Sequence, residues 1–135
     1  MSLKFLDKEE TKNFNFQKIF LRPFDSILGR HPSTEIKDLI LHVIQNIILS
    51  RYKKLSSGWK TLMSALSCCA EDEDSSTTPF AWSLAKSLID TYLDRIKADI
   101  PDIMNCYVYF IQCEDETIHS EAFSYLYVYT FLKAC

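Results

Sequence analysis

Glycine and proline are scarce in this chain, with two of the first and four of the second among 135 residues. A β-sandwich or barrel turns on such residues at every hairpin, so both architectures are short of material. No Lys/Arg block dense enough to follow a phosphate backbone is present, and the formal charge is −3. Nucleic acid is therefore not an expected partner. Apolar runs are interrupted by Lys, Asp or Gln well before the roughly 20 residues that a spanning helix needs. The opening MSLKFLDKEE lacks the positive-then-apolar order of a signal peptide, as expected of a cytosolic protein or a cut chain. Cysteine comes in an odd number, five, without CxxC spacing, and Cys113 with His119 makes no ligand set. Reduced thiols and no metal are expected. A nucleophile beside a base, a glycine loop for phosphate and a separated carboxylate pair are also missing. The chain is thus read as non-catalytic, with no cofactor and no small-molecule substrate. His31, His42 and His119 lie in different segments, where loop or polar-face roles explain them.

What is present suits a globular unit. With 47% apolar and 24% charged residues, a chain of this length can bury roughly 68% of its unfolded surface without staples. Breaks at Pro32-Ser33-Thr34, Ser56-Ser57-Gly58, Asp74 to Pro79, Asp99-Ile100-Pro101 and Glu114 to Thr117 divide it into helical segments. Helices are predicted near 16–29, 34–53, 57–70, 79–97, 101–113 and 117–133, with an acidic loop over 71–78. The first carries Phe16, Ile19, Phe20, Phe24, Ile27 and Leu28 on one side, and Pro23 should kink it or end it early. In the second, Ile36, Leu39, Ile40, Val43, Ile44 and Ile47 make a helical stripe, and Ser33 or Thr34 can cap its free N–H groups. The fourth opens with Thr78 as cap and Pro79, then runs Phe80, Leu84, Leu88, Tyr92 and Ile96. In the sixth, Tyr125, Tyr127, Tyr129 and Phe131 alternate like a strand. Phe123, Leu126, Tyr127, Thr130 and Phe131 nevertheless share a helical face, and no second strand of matching quality exists, so the segment is read as helix.

Odd-numbered helices begin near 16, 57 and 101 and even-numbered ones near 34, 79 and 117, intervals of about 40 residues that match the HEAT/armadillo repeat. The expected fold is all-α, a HEAT/armadillo-like superhelix of three stacked hairpins. Each hairpin buries a face that it could not bury alone. Such an array without capping repeats should leave apolar surface exposed around Tyr125, Tyr129 and Phe131.

Asn13 to Phe24 reads NFNFQKIFLRPF, followed by Ile36-Lys37-Asp38-Leu39-Ile40, by Ser57-Gly58-Trp59-Lys60 and by Cys69-Ala70-Glu71-Asp72. This order resembles the first homology-downstream domain of the large Arf guanine-nucleotide exchange factors of the brefeldin-A-inhibited, or Sec-seven, type. The likeness is strong in the first half of the chain and limited to helix pattern in the second. It implies regulation rather than chemistry, since the catalytic domain of that family lies upstream. It also implies activated Arf, a small GTPase, and neighbouring repeats of the parent chain as partners, and a cytoplasmic location peripheral to Golgi membranes. Membrane association would come only through the parent.

Phe16, Phe20, Leu21, Pro23, Phe24, Gly58 and Trp59 are read as the structural residues of the shared motifs. Gln17, Lys18, Arg22 and Lys60 are their exposed polar members and form a candidate recognition patch. The competing reading has Gln17 and Arg22 hydrogen-bonding a turn between helices to fix the repeat geometry. Glu71 to Ser76 is read as a solvated loop, with basic partner surfaces or phosphorylation at Ser75 or Ser76 as the functional alternative. Arg51, Lys53 and Lys54 sit at a helix C-terminus, where dipole complementarity accounts for them as well as a weak membrane attraction does.

Overall fold

A computed structural model describes the backbone of residues 16–71 and 75–134, and the side chains of 17–71 and 76–129. Among these residues there are six α-helices and no strand: α1 (Phe16–Arg30), α2 (Thr34–Arg51), α3 (Gly58–Ala70), α4 (Thr78–Tyr92), α5 (Ile100–Ile111) and α6 (Glu116–Ala134). The chain is all-α, a stack of three hairpins, α1–α2, α3–α4 and α5–α6. Two rows result. α3 lies between α1 and α5, while α4 touches both α2 and α6.

Local chemistry accounts for the helix ends. Ser33 sits in extended conformation before α2 and its hydroxyl accepts the Ile36 N–H at 3.3 Å, satisfying one of the open donors of a first turn. Pro79 and Pro101 occupy the first turns of α4 and α5, where a missing N–H costs nothing. The cap of α6 is Asp115, whose Oδ1 accepts from the amides of Thr117 at 2.9 Å and Ile118 at 3.1 Å. Thr78 does not cap its own helix as expected. Its hydroxyl donates to the Cys69 carbonyl at 2.8 Å and so satisfies an acceptor in the last turn of α3.

Several expectations need correction. Pro23 does not end α1, which runs on to Arg30. Proline lies on the solvent side of that helix, where a carbonyl robbed of its donor can meet water, while Leu21, Phe24 and Leu28 on the other side are buried. α4 stops at Tyr92 and gives way to two 3-10 turns, Leu93–Arg95 and Lys97–Asp99. Ile96, between them, is fully buried all the same. The expected acidic loop of 71–78 is shorter, because Ser75–Thr77 form a 3-10 turn and Thr78 already belongs to α4. Residues 72–74 and the side chains of Phe16, Thr130 and Phe131 lie outside the described set.

The inward faces of α2 and α6 also differ from the stripes read above. On α2 the buried positions are Lys37, Leu41, Ile44, Ile47 and Ile48, whereas Leu39 is 59% exposed. On α6 they are Ile118 and Ala122, with Tyr125 and Tyr129 half-buried, and Phe123 and Tyr127 face outward. Both helices are apolar on more than one side. Periodicity then identifies the helix without fixing its rotation.

α3 is the central element, burying Trp59, Leu62, Met63, Ala65, Leu66 and Cys69. Each such large side chain stabilises by about 1.5–3 kcal/mol relative to exposure. Trp82 of α4 meets Tyr107 and Phe110 of α5 at centroid distances of 5.1 and 5.2 Å, and Tyr125 of α6 at 6.1 Å. The Tyr107 hydroxyl, inside this cluster, donates to the Ala85 carbonyl at 2.7 Å. α4 and α6 are further joined by Glu121, which accepts from Trp82 Nε1 at 3.0 Å and Lys86 Nζ at 3.1 Å. One turn on, the Tyr125 hydroxyl donates to Asp90.

A single carboxamide fixes the first hairpin to the second. Gln17 is fully buried. Its Nε2 donates to the Lys54 carbonyl at 2.8 Å, and its Oε1 accepts from the amides of Ser56 at 2.8 Å and Gly58 at 3.0 Å. The α2–α3 turn is thereby held against the first turn of α1. Gly58 must be glycine for the same reason, because a Cβ there would stand 3.0 Å from Gln17 Oε1, Leu21 Cδ1 and Leu55 Cδ2. All three atoms are pinned by burial or hydrogen bonds. Gln17→Ala is expected to lower unfolding free energy by about 1–3 kcal/mol, since the buried Gly58 amide and the partly buried Lys54 carbonyl and Ser56 amide lose their partner. Gly58→Ala should cost about 1–3 kcal/mol by overpacking. Gly29→Ala, whose Cβ would meet only Cys68 Sγ at 3.4 Å, should be neutral or stabilising by up to about 1 kcal/mol. Urea unfolding of the three variants checks the set, and equal effects for the two glycines would contradict it.

Candidate functional site

The outer side of the α1, α3 and α5 row is polar, and its residues recur at helical spacing. α1 contributes Lys18, Arg22, Asp25 and Gly29, at i, i+4, i+7 and i+11. α3 contributes Lys60, Ser64, Ser67 and Glu71 in the same register, and α5 adds Asp102, Asn105 and Tyr109. The buried stripes of these helices run a quarter-turn away, so packing itself turns the polar stripes outward. Two clefts lie between the ridges. One, of about 440 Å³, is bounded by Arg22, Asp25, Ser26, Arg30, Cys68 and Glu71. The other, of about 260 Å³, is bounded by Lys60, Ser64, Ser67, Cys68, Asp102 and Tyr109.

Asp25 crosses from α1 to α3 at the junction of the clefts. Its Oδ2 accepts the Ser64 hydroxyl at 2.7 Å and its Oδ1 the Cys68 thiol at 3.1 Å. Burial, with the hydrogen bond to Asp25 second, pushes the Cys68 thiol up to about 12. A thiol in that state is a structural donor and a poor nucleophile. At the mouth of the second cleft, burial and the neighbouring Asp102 raise the Asp99 carboxyl, and Lys60 opposes the shift.

Of the patch expected from the sequence, Lys18, Arg22 and Lys60 are exposed on this face, and none is held in a salt bridge among the described residues. Gln17 is not part of it. Its side chain has no surface to offer, and its hydrogen bonds are those of the turn-fixing alternative. Arg22 points the other way from that turn and lines the larger cleft. Leu21, Phe24, Gly58 and Trp59 are buried, Phe20 is half-buried and Pro23 is exposed. Asp25, Arg30, Cys68 and Glu71 were missed by motif reading. The i, i+4, i+7, i+11 spacing repeated on α1 and α3 is a signal that could have found Asp25 and Glu71, whereas Arg30 and Cys68 lie outside it.

Elsewhere the charged and titratable groups have local tasks. His31 Nδ1 accepts from Ser33 N at 3.0 Å, the His42 ring pairs with Asp38 one turn back, and the His119 ring caps α5 at the Ile111 carbonyl. Lys53 rests over the Tyr52 ring. Among the described residues no helix is long and apolar enough to cross a membrane, and Cys68, Cys69, Cys106 and Cys113 are not joined in disulfides.

Comparison with known proteins places matches along most of the chain. Residues 4–87, more than half of it, match the family model described as Mon2/Sec7/BIG1-like, HDS. Brefeldin A-inhibited guanine nucleotide-exchange protein 1 of Arabidopsis thaliana is 32% identical over 114 residues, covering 82% of this chain and 7% of that protein. The protein of the same description from Homo sapiens is 31% identical over 123 residues, covering 91% of this chain and 6% of its own length. Protein 3 of that series from Arabidopsis thaliana is 29% identical over 131 residues, 93% of this chain and 8% of that protein. The chain therefore spans less than a tenth of these relatives.

The state of Cys68 is open to a direct check. With its thiol pushed up to about 12, the protonated form persists through mild alkali, and alkylation by iodoacetamide at pH 8 should be at least tenfold slower than for an ordinary thiol near pKa ~8.5. Asp25→Asn should speed it. Peptide mapping by mass spectrometry reads the rate, and fast alkylation of the unchanged chain would contradict the assignment.

Proposed function

This chain belongs to the HDS family of Mon2/Sec7/BIG1-like proteins, and from that premise we propose that it is a regulatory, non-catalytic HEAT/armadillo-type region of an Arf guanine-nucleotide exchange factor. Its task is recognition. It binds activated Arf, or another domain of its own protein, through the α1–α3–α5 face, and it acts in vesicle-mediated Golgi transport from the cytoplasmic side, peripheral to the membrane. The observation that carries this reading is the set of exposed cations, Lys18, Arg22 and Lys60, none of them held in a salt bridge among the described residues, with Arg22 and Lys60 each lining a cleft. Rim charges of this kind steer encounter and fix orientation more than they add affinity. A ridge-and-cleft surface formed by successive helices is also what helical arrays commonly use to bind proteins.

A second reading makes the chain a scaffold unit that touches only neighbouring repeats of its parent. One observation favours it. The exposed large apolar side chains, Ile19, Ile36, Leu39, Leu49, Val108, Phe123, Tyr127 and Val128, all belong to the first or the last hairpin, and none to α3 or α4.

Liposome sedimentation with GTP-locked and GDP-locked Arf separates the two. The first reading expects GTP-dependent capture, weakened at least tenfold, or about 1.4 kcal/mol, by combining Lys18→Glu, Arg22→Glu and Lys60→Glu. Capture that is absent or indifferent to the nucleotide would remove it.

A further inference from the structure

The charged side chains are unevenly placed along the stack. Between Asp38 and Glu71 the sequence holds no carboxylate, and that stretch carries Arg51, Lys53, Lys54 and Lys60. All four sit at one end of the stack, where α2 turns into α3 beside the start of α1. The α4–α5 connection leaves from the same end, because Tyr52 and Tyr92 meet with ring centroids 5.0 Å apart, and it adds Arg95 and Lys97. At the opposite end Arg30 and Glu35 offset each other across the α1–α2 turn, Glu71 follows α3, and Glu114, Asp115 and Glu116 make the α5–α6 turn. A net charge of −3 thus conceals a basic end and an acidic one.

Neutralisation at the basic end is partial. Asp94 is tied to Lys97 at 3.8 Å, and Asp99 and Asp102 lie toward Lys60 on the side of the smaller cleft. Lys53, Lys54 and Arg95 are exposed, and none of their charged groups is salt-bridged or hydrogen-bonded among the described residues. Dipole complementarity fits Arg51, whose guanidinium donates to the Ser50 carbonyl at 3.2 Å in the last turn of α2. It does not fit Lys53 and Lys54, which lie beyond that helix. Leu49, four positions before Lys53, is 62% exposed and borders a cleft with Tyr92. Cations beside an open aliphatic side chain are the combination with which interfacial elements hold a bilayer surface.

We propose that this basic end of the stack docks on an anionic lipid surface, with Lys53, Lys54 and Arg95 among the headgroups and Leu49 at the acyl boundary. An acidic polypeptide is the less fitting occupant. Fixed carboxylates are best met by forked, pre-organised arginines, whereas the two lysines are flexible point charges on a turn and suit headgroups that are themselves mobile. Contact is peripheral, since no described helix can span a bilayer. The inference goes beyond the Arf reading and uses none of its cations. With the helices end-on to the bilayer, the α1–α3–α5 face rises from the surface with Lys18 and Lys60 at its foot.

Vesicle sedimentation of the 135-residue chain, with no GTPase present, tests the proposal. Vesicles of phosphatidylcholine with about 30% phosphatidylserine, which carry the negative surface potential that basic segments follow, are compared with phosphatidylcholine alone. The chain should bind the first at least tenfold more tightly, and added salt should release it. Combining Lys53→Gln, Lys54→Gln and Arg95→Gln should weaken binding at least tenfold, and Leu49→Ser should weaken it further. Gln112→Glu, Thr117→Glu and Ser120→Glu together change the net charge equally at the far end and should leave binding unchanged. All six polar positions are exposed, and an unaltered far-UV circular dichroism spectrum checks the fold of each variant. Equal binding to both vesicles, or equal loss in the two triple variants, overturns the proposal. Retention on polyglutamate with no response to phosphatidylserine would assign the end to an acidic polypeptide and overturn it too. Lys18, Arg22 and Lys60 are untouched, so this test and nucleotide-dependent Arf capture can fail separately.

Discussion

The arrangement of this molecule depends on the Gln17 carboxamide. Three groups of the α2–α3 turn, the Lys54 carbonyl and the amides of Ser56 and Gly58, find their partners in one side chain from α1. Buried backbone groups without partners are costly, so the turn can be enclosed only where that side chain is. Two of the sequence blocks that carry the family likeness, the one around Gln17 and the one around Gly58, are bonded to each other. Their specificity follows from that. A residue of another length at 17, or any side chain at 58, disturbs the junction from which α3 starts. The polar ridges of α1 and α3 are held in register by this junction and by the Asp25 bridge farther along, together with the buried packing of α1 on α3.

How much of this was legible before the structure varies with the physics involved. Helices and their breaks could be read because caps and prolines act locally: Ser33, Pro79 and Pro101 mark starts that any packing would respect. The rotation of α2 and α6 could not. Leu39 and Leu41 are equally apolar and differ only in which neighbour comes near. Ile96 shows the same limit from the other side, since it lies in the expected stripe and in the core although the helix has ended before it. Pro23 does not end the helix early, because its cost falls on a solvent-facing carbonyl.

The candidate site was partly visible. Lys18, Arg22 and Lys60 stand where exposed members of the motifs were expected, whereas Gln17, which had both a patch and a turn-fixing reading, takes the second. Its bond to Gly58 spans 41 positions of sequence, so which turn it fixes could not be read locally. Asp25 and Cys68 belong to no motif, Glu71 was read only as the start of a solvated loop, and the three come together through the packing of α1 on α3. The face therefore has two kinds of polar residue. Asp25, Ser64 and Cys68 are consumed by one another, while Lys18, Arg22 and Lys60 are exposed and make no salt bridge among the described residues.

The hydroxyl of Thr78 on the Cys69 carbonyl has a quieter consequence. It clips shut the connection between α3 and α4 at its base, so that both helices leave and return at a fixed point whatever lies between. Closure entropy grows only with the logarithm of loop length, about 0.6 kcal/mol for each doubling. Chain inserted between that hydroxyl and that carbonyl therefore costs the stack little.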